Sequence, residues 1–306
     1  MSKSKPKIIV ILGPTGSGKS ELAIKLAKKF DGEIVCADSR QVYKEMIIGT
    51  DSPIIKNIPH HLFHIIAPDK NFNVAIYKRL AIKAIKDILK RGKVPFLAGG
   101  TGLYIQAIVD NVNFPIVLPQ KELREKLEKK TLEELFKIYQ KLDSQGAKII
   151  DKKNKRRLVR AIEVCKVAGK PFSQQKKGGK PLFDVLQIGL KLPKQKLEKK
   201  IRERTEKMFN VGLKKEVKNL IKKYSFDIPA MCAIGYQEWS AFVKASVDKP
   251  MDTFTKNEKE KIKELIILHT IQFAKRQITW FKRDKQIHWI KNIKRAEKLI
   301  SGFLVK

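Results

Sequence analysis

Cysteine is nearly absent from this chain. Three occur in 306 residues, at positions 36, 165 and 232, an odd number with no C-x-x-C pair. That excludes a disulfide framework and a thiolate zinc site, and it points to a reducing, cytoplasmic setting. Histidine is equally sparse. His60, His61 and His64 lack a cysteine or carboxylate at metal-ligand spacing and read as structural or substrate-adjacent groups. Trp239, Trp280 and Trp289 are expected in the core or an interface rather than as base-stacking platforms. No apolar run is long enough to span a bilayer. Met-Ser-Lys-Ser-Lys-Pro leads straight into the first apolar segment, leaving no room for a signal peptide. Internal repeats, low-complexity tracts and an Asn-Lys-x-Asp guanine signature are also missing.

Acidic residues are the last shortage, 31 against 66 basic ones, for a net charge of +35. Such a balance calls for a polyanionic partner, nucleic acid first. The Lys- and Ile-rich usage also fits a compositionally biased genome, so where the charge sits says more than its total. A hydrophobic content of 42% is ample for a core, and the length exceeds the usual single domain.

What is present begins with Gly13-Pro-Thr-Gly-Ser-Gly-Lys-Ser20 after the apolar run Lys7–Leu12, a match to the phosphate-binding loop G-x-x-x-x-G-K-[ST]. Gly13, Gly16 and Gly18 let the backbone turn successive N–H groups toward one anion, and Pro14, Thr15 and Ser17 fill the loop. Lys19 supplies a point charge, Ser20 a hydroxyl for Mg²⁺, and the following helix the positive end of its dipole. The loop names a di- or triphosphate. It does not name a reaction.

Along the chain, Lys7–Leu12 reads as a buried strand, 19–30 as a helix, and 33–37 as a second strand ending in Asp38-Ser39-Arg40-Gln41. A carboxylate there lies at the crevice where doubly wound sheets bind ligands. Asn73 caps a helix to about residue 91, with Ile76, Tyr77, Leu80, Ala84, Ile85 and Ile88 on one face. A third strand, 94–98, turns through Gly99-Gly100-Thr101-Gly102 into helix 103–109. Strand–helix alternation of this kind predicts a parallel sheet wrapped by helices. From 118 to 175 the pattern is helical and charged, with segments at 122–129, 132–142 and 155–168. Strand character returns at 183–190. A long basic helical stretch, 195–224, follows, then a helix over 257–281 and a last strand near 287–290. The expected organisation is therefore α/β, with a core over 1–115 and 182–306 and a helical insertion over 116–181. Within 141–180 there are 13 Lys or Arg against 3 acidic residues, concentrated in Lys152–Arg160. A charge run is often only a solvated face; beside a phosphate loop it reads as a phosphate-backbone contact.

An ordered set of short stretches resembles the tRNA dimethylallyltransferases, also called tRNA isopentenyltransferases. They are Gly13–Ser20, Asp38–Tyr43, Ile48–Thr50, Pro59–Leu62, Gly99–Tyr104, Arg157-x-x-Arg-Ala-Ile-Glu163, Ile234–Tyr236 and Ala274–Trp280, spanning nearly the whole chain. The resemblance implies a P-loop NTPase-like fold and Mg²⁺-dependent transfer of a dimethylallyl group from its diphosphate. The implied acceptor is N6 of the adenosine beside the anticodon of tRNA. It assigns the loop to the diphosphate leaving group, with Arg204 as a second clamp and Thr15 beside the donor. Asp38 becomes the general base. The resemblance places Asp38, Ser39, Arg40, Gln41, Thr101, Arg124 and the segment Arg156, Arg157, Leu158, Val159, Arg160 against the anticodon stem-loop, with Thr101 also catalytic. A monomer is the simplest oligomeric state, and no membrane partner is expected. The chain departs from the family at Gly49-Thr-Asp-Ser-Pro53, often Gly-Thr-Ala-Lys-Pro, and at His64, often Asp. Gln237 and Ile271 stand where Arg is usual.

Three other readings share parts of this pattern. A P-loop small-molecule kinase leaves the basic insertion without a purpose. An isopentenyltransferase for free adenine nucleotides does not need Arg156–Arg160. A bare RNA-binding module or GTPase switch leaves the pairing of P-loop and Asp38 unexplained.

Overall fold

The computed structural model describes residues 5–52, 58–115, 117–175, 178–240 and 254–305. Pro53 of the divergent Gly49–Pro53 stretch lies outside them. The chain divides into two compact units, Met1–Val109 with Leu182–Lys306, and Asp110–Pro181.

The larger unit is built on a six-stranded sheet among the described residues, in the order β3-β2-β4-β1-β5-β6. These are β1 (Lys7–Leu12), β2 (Gly32–Cys36), β3 (His60–His61), β4 (Val94–Gly99), β5 (Asp184–Leu190) and β6 (His288–Ile290). Each strand pairing is parallel, with Ile9 opposite Phe96 on one side of β1 and Leu186 on the other. Helices cover both faces, so β1 is apolar at successive positions rather than alternating. Ile8, Val10 and Leu12 pack with Tyr77, Ile85 and Ile88 of α2 (Val74–Lys90). Ile9 and Ile11 point the other way, onto Leu22 and Leu26 of α1 (Lys19–Lys29). The chain leaves β1 toward β2 and β4, then crosses to β5 on the far side of β1. That reversal places the loops after β1, β2 and β4 along one edge, where such sheets bind ligands.

Two expectations needed correction here. The basic stretch 195–224 is two helices, α9 (Lys194–Val211) and α10 (Leu213–Tyr224), broken at Gly212 with φ 114°. A left-handed residue ends one helix and cannot sit inside the next. The edge strand β3 was not foreseen. It is two residues long, and His61 Nε2 meets the buried Glu33 carboxylate of β2 at 2.7 Å. The short α3 (Gly102–Val109) after β4, the helix α11 (Lys256–Phe281), opened by a Thr255–Glu258 capping box, and the final α12 (Ile293–Val305) also belong to this unit.

The smaller unit has its own core: Leu127 of α4 (Lys121–Glu128), Leu135 and Tyr139 of α5 (Leu132–Leu142), and Leu158, Ile162 and Cys165 of α7 (Lys155–Ala168). Short helices α6 (Ser144–Ile149) and α8 (Phe172–Gln175) flank them. Its boundary falls earlier than 116. Asn111 bonds Gly179 N–H and the Lys180 carbonyl, and Val112 bridges to Gly178, so residues 110–115 pack with the helical unit.

Candidate active site

The P-loop leaves β1 and enters α1 through Gly18, whose φ of 87° marks the left-handed region. No side chain among the described residues caps that helix, which leaves N–H groups of its first turn for an anion. Ser17 is buried, and its Oγ has no hydrogen-bond partner among the described residues. Lys19 is half-buried, and among the described residues no carboxylate lies within ion-pair distance of its ammonium. Burial pulls its pKa down, while the charge of Asp38 opposes that shift. A buried polar group without a partner is costly. This loop carries a hydroxyl in that condition, beside a half-buried cation with no paired carboxylate among the described residues, as an anion-binding cradle should.

Arg204 reaches the loop from α9. Its Nη1 donates to Thr15 Oγ1 at 2.8 Å and sits 3.4 Å from Asp51 Oδ2, while its Nε is buried with no hydrogen-bond partner among the described residues. The remaining site residues follow β2 and β4. Arg40 N–H donates to Asp38 Oδ1 at 2.9 Å, a local turn that fixes the carboxylate and leaves its other oxygen without a hydrogen bond among the described residues. Thr101 Oγ1 accepts from Ser39 N–H at 3.0 Å, and Thr101 N–H donates to the Ala37 carbonyl, also at 3.0 Å. Thr15, Asp38, Ser39, Arg40 and Arg204 line one cavity of about 350 Å³, together with apolar Met208 and Ile266. Cationic, polar and apolar side chains line it together, which suits an anionic ligand with a hydrocarbon tail.

Not every residue expected at the site turns outward. Gln41 spends its amide on the Thr50 and Asp51 carbonyls, at 3.1 and 3.2 Å. On α7, helical spacing buries Leu158 and Val159 in the core and exposes Arg156 and Arg157. Arg124 makes a bidentate pair with Glu163 at 2.8 Å, and Arg160 shares the same carboxylate. Glu163 also accepts from Gln120 N–H at 2.7 Å. Gln237 lines the cavity, while Ile271 packs with Leu197, Ile201 and Ala274. His60 and His64 bond the Ile58 and Tyr43 carbonyls. Trp239 is fully buried, whereas Trp280 is half-exposed. Gln277 received no role from the sequence because a glutamine within a helix carries no signal of its partners. Here it bonds both Thr15 and Gly100.

Among the described residues no group of three or more His, Cys, Asp or Glu side chains could hold a metal ion. The Ser20 hydroxyl is a hard oxygen donor on the first turn of α1. That donor suits Mg²⁺, which takes few protein ligands and completes its shell with water and substrate phosphates. No helix among the described residues is long and apolar enough to cross a membrane.

Comparison with known proteins agrees with this geometry. A family model described as IPP transferase matches residues 41–284, and one described as isopentenyl transferase matches residues 6–61. A tRNA dimethylallyltransferase of Pelotomaculum thermopropionicum is 38% identical over 296 residues, covering 94% of this chain and 91% of the relative. Its counterpart in Staphylococcus epidermidis is 40% identical over 299 residues, covering 94% and 87%. The crystal structure of a tRNA isopentenylpyrophosphate transferase from Staphylococcus epidermidis superposes with a TM-score of 0.67 at 34% identity, covering 98% and 99%. A eukaryotic dimethylallyltransferase acting on tRNA superposes with a TM-score of 0.78 at 26% identity, covering 98% of this chain and 78% of that one. With a phosphate cradle and a carboxylate on one cavity, and relatives matched over nearly their full length, the chain belongs to the IPP transferase family, the tRNA dimethylallyltransferases.

Proposed function

We propose that this enzyme transfers a dimethylallyl group from dimethylallyl diphosphate to N6 of adenosine 37, the base 3′-adjacent to the anticodon of tRNA. The observation that carries the reading is that Thr15, Arg204 and Asp38 line one and the same cavity. The allylic C–O bond breaks with its electron pair passing to the diphosphate, and the N6 lone pair forms the new C–N bond. Negative charge grows on the departing oxygens. The P-loop amides, Lys19 and Arg204 are already in place to meet it, so little reorganisation accompanies the reaction. Mg²⁺ held through Ser20 would neutralise part of the diphosphate charge.

N6 is a weak nucleophile because its lone pair is delocalised into the purine. Asp38, held by the Arg40 amide with one oxygen free, accepts the N6 proton as the bond forms. An anticodon-loop base must leave its stack to reach such a carboxylate, so base flipping is part of the reading. Ser39, Arg40 and Thr101 flank the entering base, and Arg156 and Arg157 supply phosphate contacts from the helical unit. These exposed arginines favour tRNA over a free nucleotide as acceptor.

One experiment separates the alternatives. Purified protein is incubated with Mg²⁺, labelled dimethylallyl diphosphate and either unmodified tRNA or AMP. Label is expected on tRNA alone; label on AMP alone, or on neither, sinks the reading. In the same assay Asp38→Ala should lower turnover about 10²–10⁴-fold, the usual worth of a general base, with tRNA affinity nearly unchanged. Lost tRNA binding instead would make Asp38 a structural group.

A further inference from the structure

Gln277 lies near the C-terminal end of α11 and is 5% exposed. Its Oε1 accepts the Thr15 N–H at 2.8 Å, and its Nε2 donates to the Gly100 carbonyl, also at 2.8 Å. The two partners belong to different loops. Thr15 follows β1 and carries the hydroxyl that Arg204 holds. Gly100 follows β4 and precedes Thr101, whose hydroxyl holds the Ser39 amide beside Asp38. The contact with Gly100 is close: a Cβ there would stand 2.4 Å from Gln277 Nε2. One turn further along the same helix face, Trp280 presses on the same loop, where a Cβ on Gly102 would stand 2.3 Å from its Cδ1. Two side chains of one helix therefore address the turn that carries Thr101.

We infer that Gln277 is a positioning residue that holds the diphosphate cradle and the acceptor wall in register through one amide. Resting on the proposed function, this means the distance between leaving group and N6 is set partly from α11, by a side chain that touches neither substrate. Gln277 also occupies the Thr15 N–H. That amide is withdrawn from the anion, and the Thr15 hydroxyl is left to take the Arg204 hydrogen bond. Misplacement of reacting groups by about 1 Å costs on the order of 10²-fold in rate, so a register clamp acts on turnover.

The two hydrogen bonds can be broken separately in the full chain. The Gln277→Glu variant keeps an acceptor for the Thr15 N–H, but its carboxylate has no proton for the Gly100 carbonyl. Gln277→Met keeps the bulk and loses both. Each variant is compared with wild type for pyrophosphate affinity by calorimetry, for kcat and KM with tRNA, and for melting temperature. Losing a buried hydrogen bond is worth about 10-fold. Gln277→Met should weaken pyrophosphate binding about 10-fold and lower kcat by at least as much, with KM for tRNA within about 3-fold. Gln277→Glu should hold pyrophosphate within about 3-fold of wild type while kcat still falls about 10-fold. Should Gln277→Met fail to fold, that split in Gln277→Glu decides alone. Lower melting temperatures with wild-type kinetics would overturn the inference, as would equal loss of pyrophosphate affinity in both variants. A wild type that binds pyrophosphate but labels no tRNA sinks the functional reading, while the pyrophosphate comparison still tests the Thr15 half.

Discussion

Lys19 shows how one residue joins fold to chemistry. Its burial lowers its pKa, the nearby Asp38 charge raises it and Arg204 lowers it again, with a net downward shift. Burial brings the loss of the lysine's charge to lower pH, and a bound diphosphate favours the cation. Affinity therefore falls as pH rises through the ligand-free pKa, which lies below the ordinary lysine value of about 10.4. Calorimetry with pyrophosphate from pH 7 upward should show wild type losing its advantage over Lys19→Met in that window. A gap that stays constant with pH would refute the shift. Spacing alone was enough to mark Lys19 as a candidate phosphate ligand, because the P-loop is contiguous. The family resemblance set Arg204 and Thr15 beside the donor separately; the hydrogen bond between them, across 189 residues, came only from the structure.

At the scale of the element, periodicity did most of the work. The apolar run Lys7–Leu12 predicted a strand buried on both faces, and that strand sits in the middle of the sheet. The same periodicity, applied to α7, divides Arg156–Arg160 into an exposed basic edge and a buried apolar one. Arg156 and Arg157 are free of the Glu163 carboxylate that holds Arg124 and Arg160, so the phosphate contacts are expected from them. Replacing both by alanine should reduce the slope of log affinity for tRNA against log salt by roughly 1.4–1.8, at about 0.7–0.9 per phosphate contact. Filter binding at several salt concentrations measures it; an unchanged slope would leave α7 as a solvated face. What pattern could not supply was the break at Gly212. Basic helical sequence continues on both sides of it, and only the left-handed backbone reveals the corner.

At the scale of the molecule, the chain divides into units with separate cores, and the smaller one is held together around a buried charge. Glu163 is fully buried, whereas Arg124 and Arg160 are 35% and 34% exposed. Burial alone would raise the Glu163 pKa, but hydrogen bonds from Arg124, Gln120 and Arg160 outweigh it and hold the carboxyl below its ordinary value. A depressed carboxylate stabilises the fold above its unfolded pKa, and that stability is lost as pH falls through the folded value. Glu163→Gln should therefore cost about 2 kcal/mol near pH 7, a typical figure for charge-assisted hydrogen bonds. The cost should shrink as pH falls below the ordinary glutamate value of about 4.3 and on through the lower value at which the folded wild-type carboxyl protonates. Melting curves of both chains across that range test it, and a gap that widens in acid contradicts the linkage.

Fold class, the phosphate loop and the basic insertion followed from the sequence because each is local. Spacing within a turn, alternation within a strand and charge within a segment need no distant partner. The cavity did not follow in that way. Asp38, Thr15, Thr101, Arg204 and Gln277 come from three strand-end loops and two helices spread over most of the chain. Their meeting depends on the strand order β2-β4-β1, which is decided by burial of both sheet faces at once. Only the folded chain could show that Arg124 and Arg160 share one carboxylate, or that one glutamine bridges the two halves of the site.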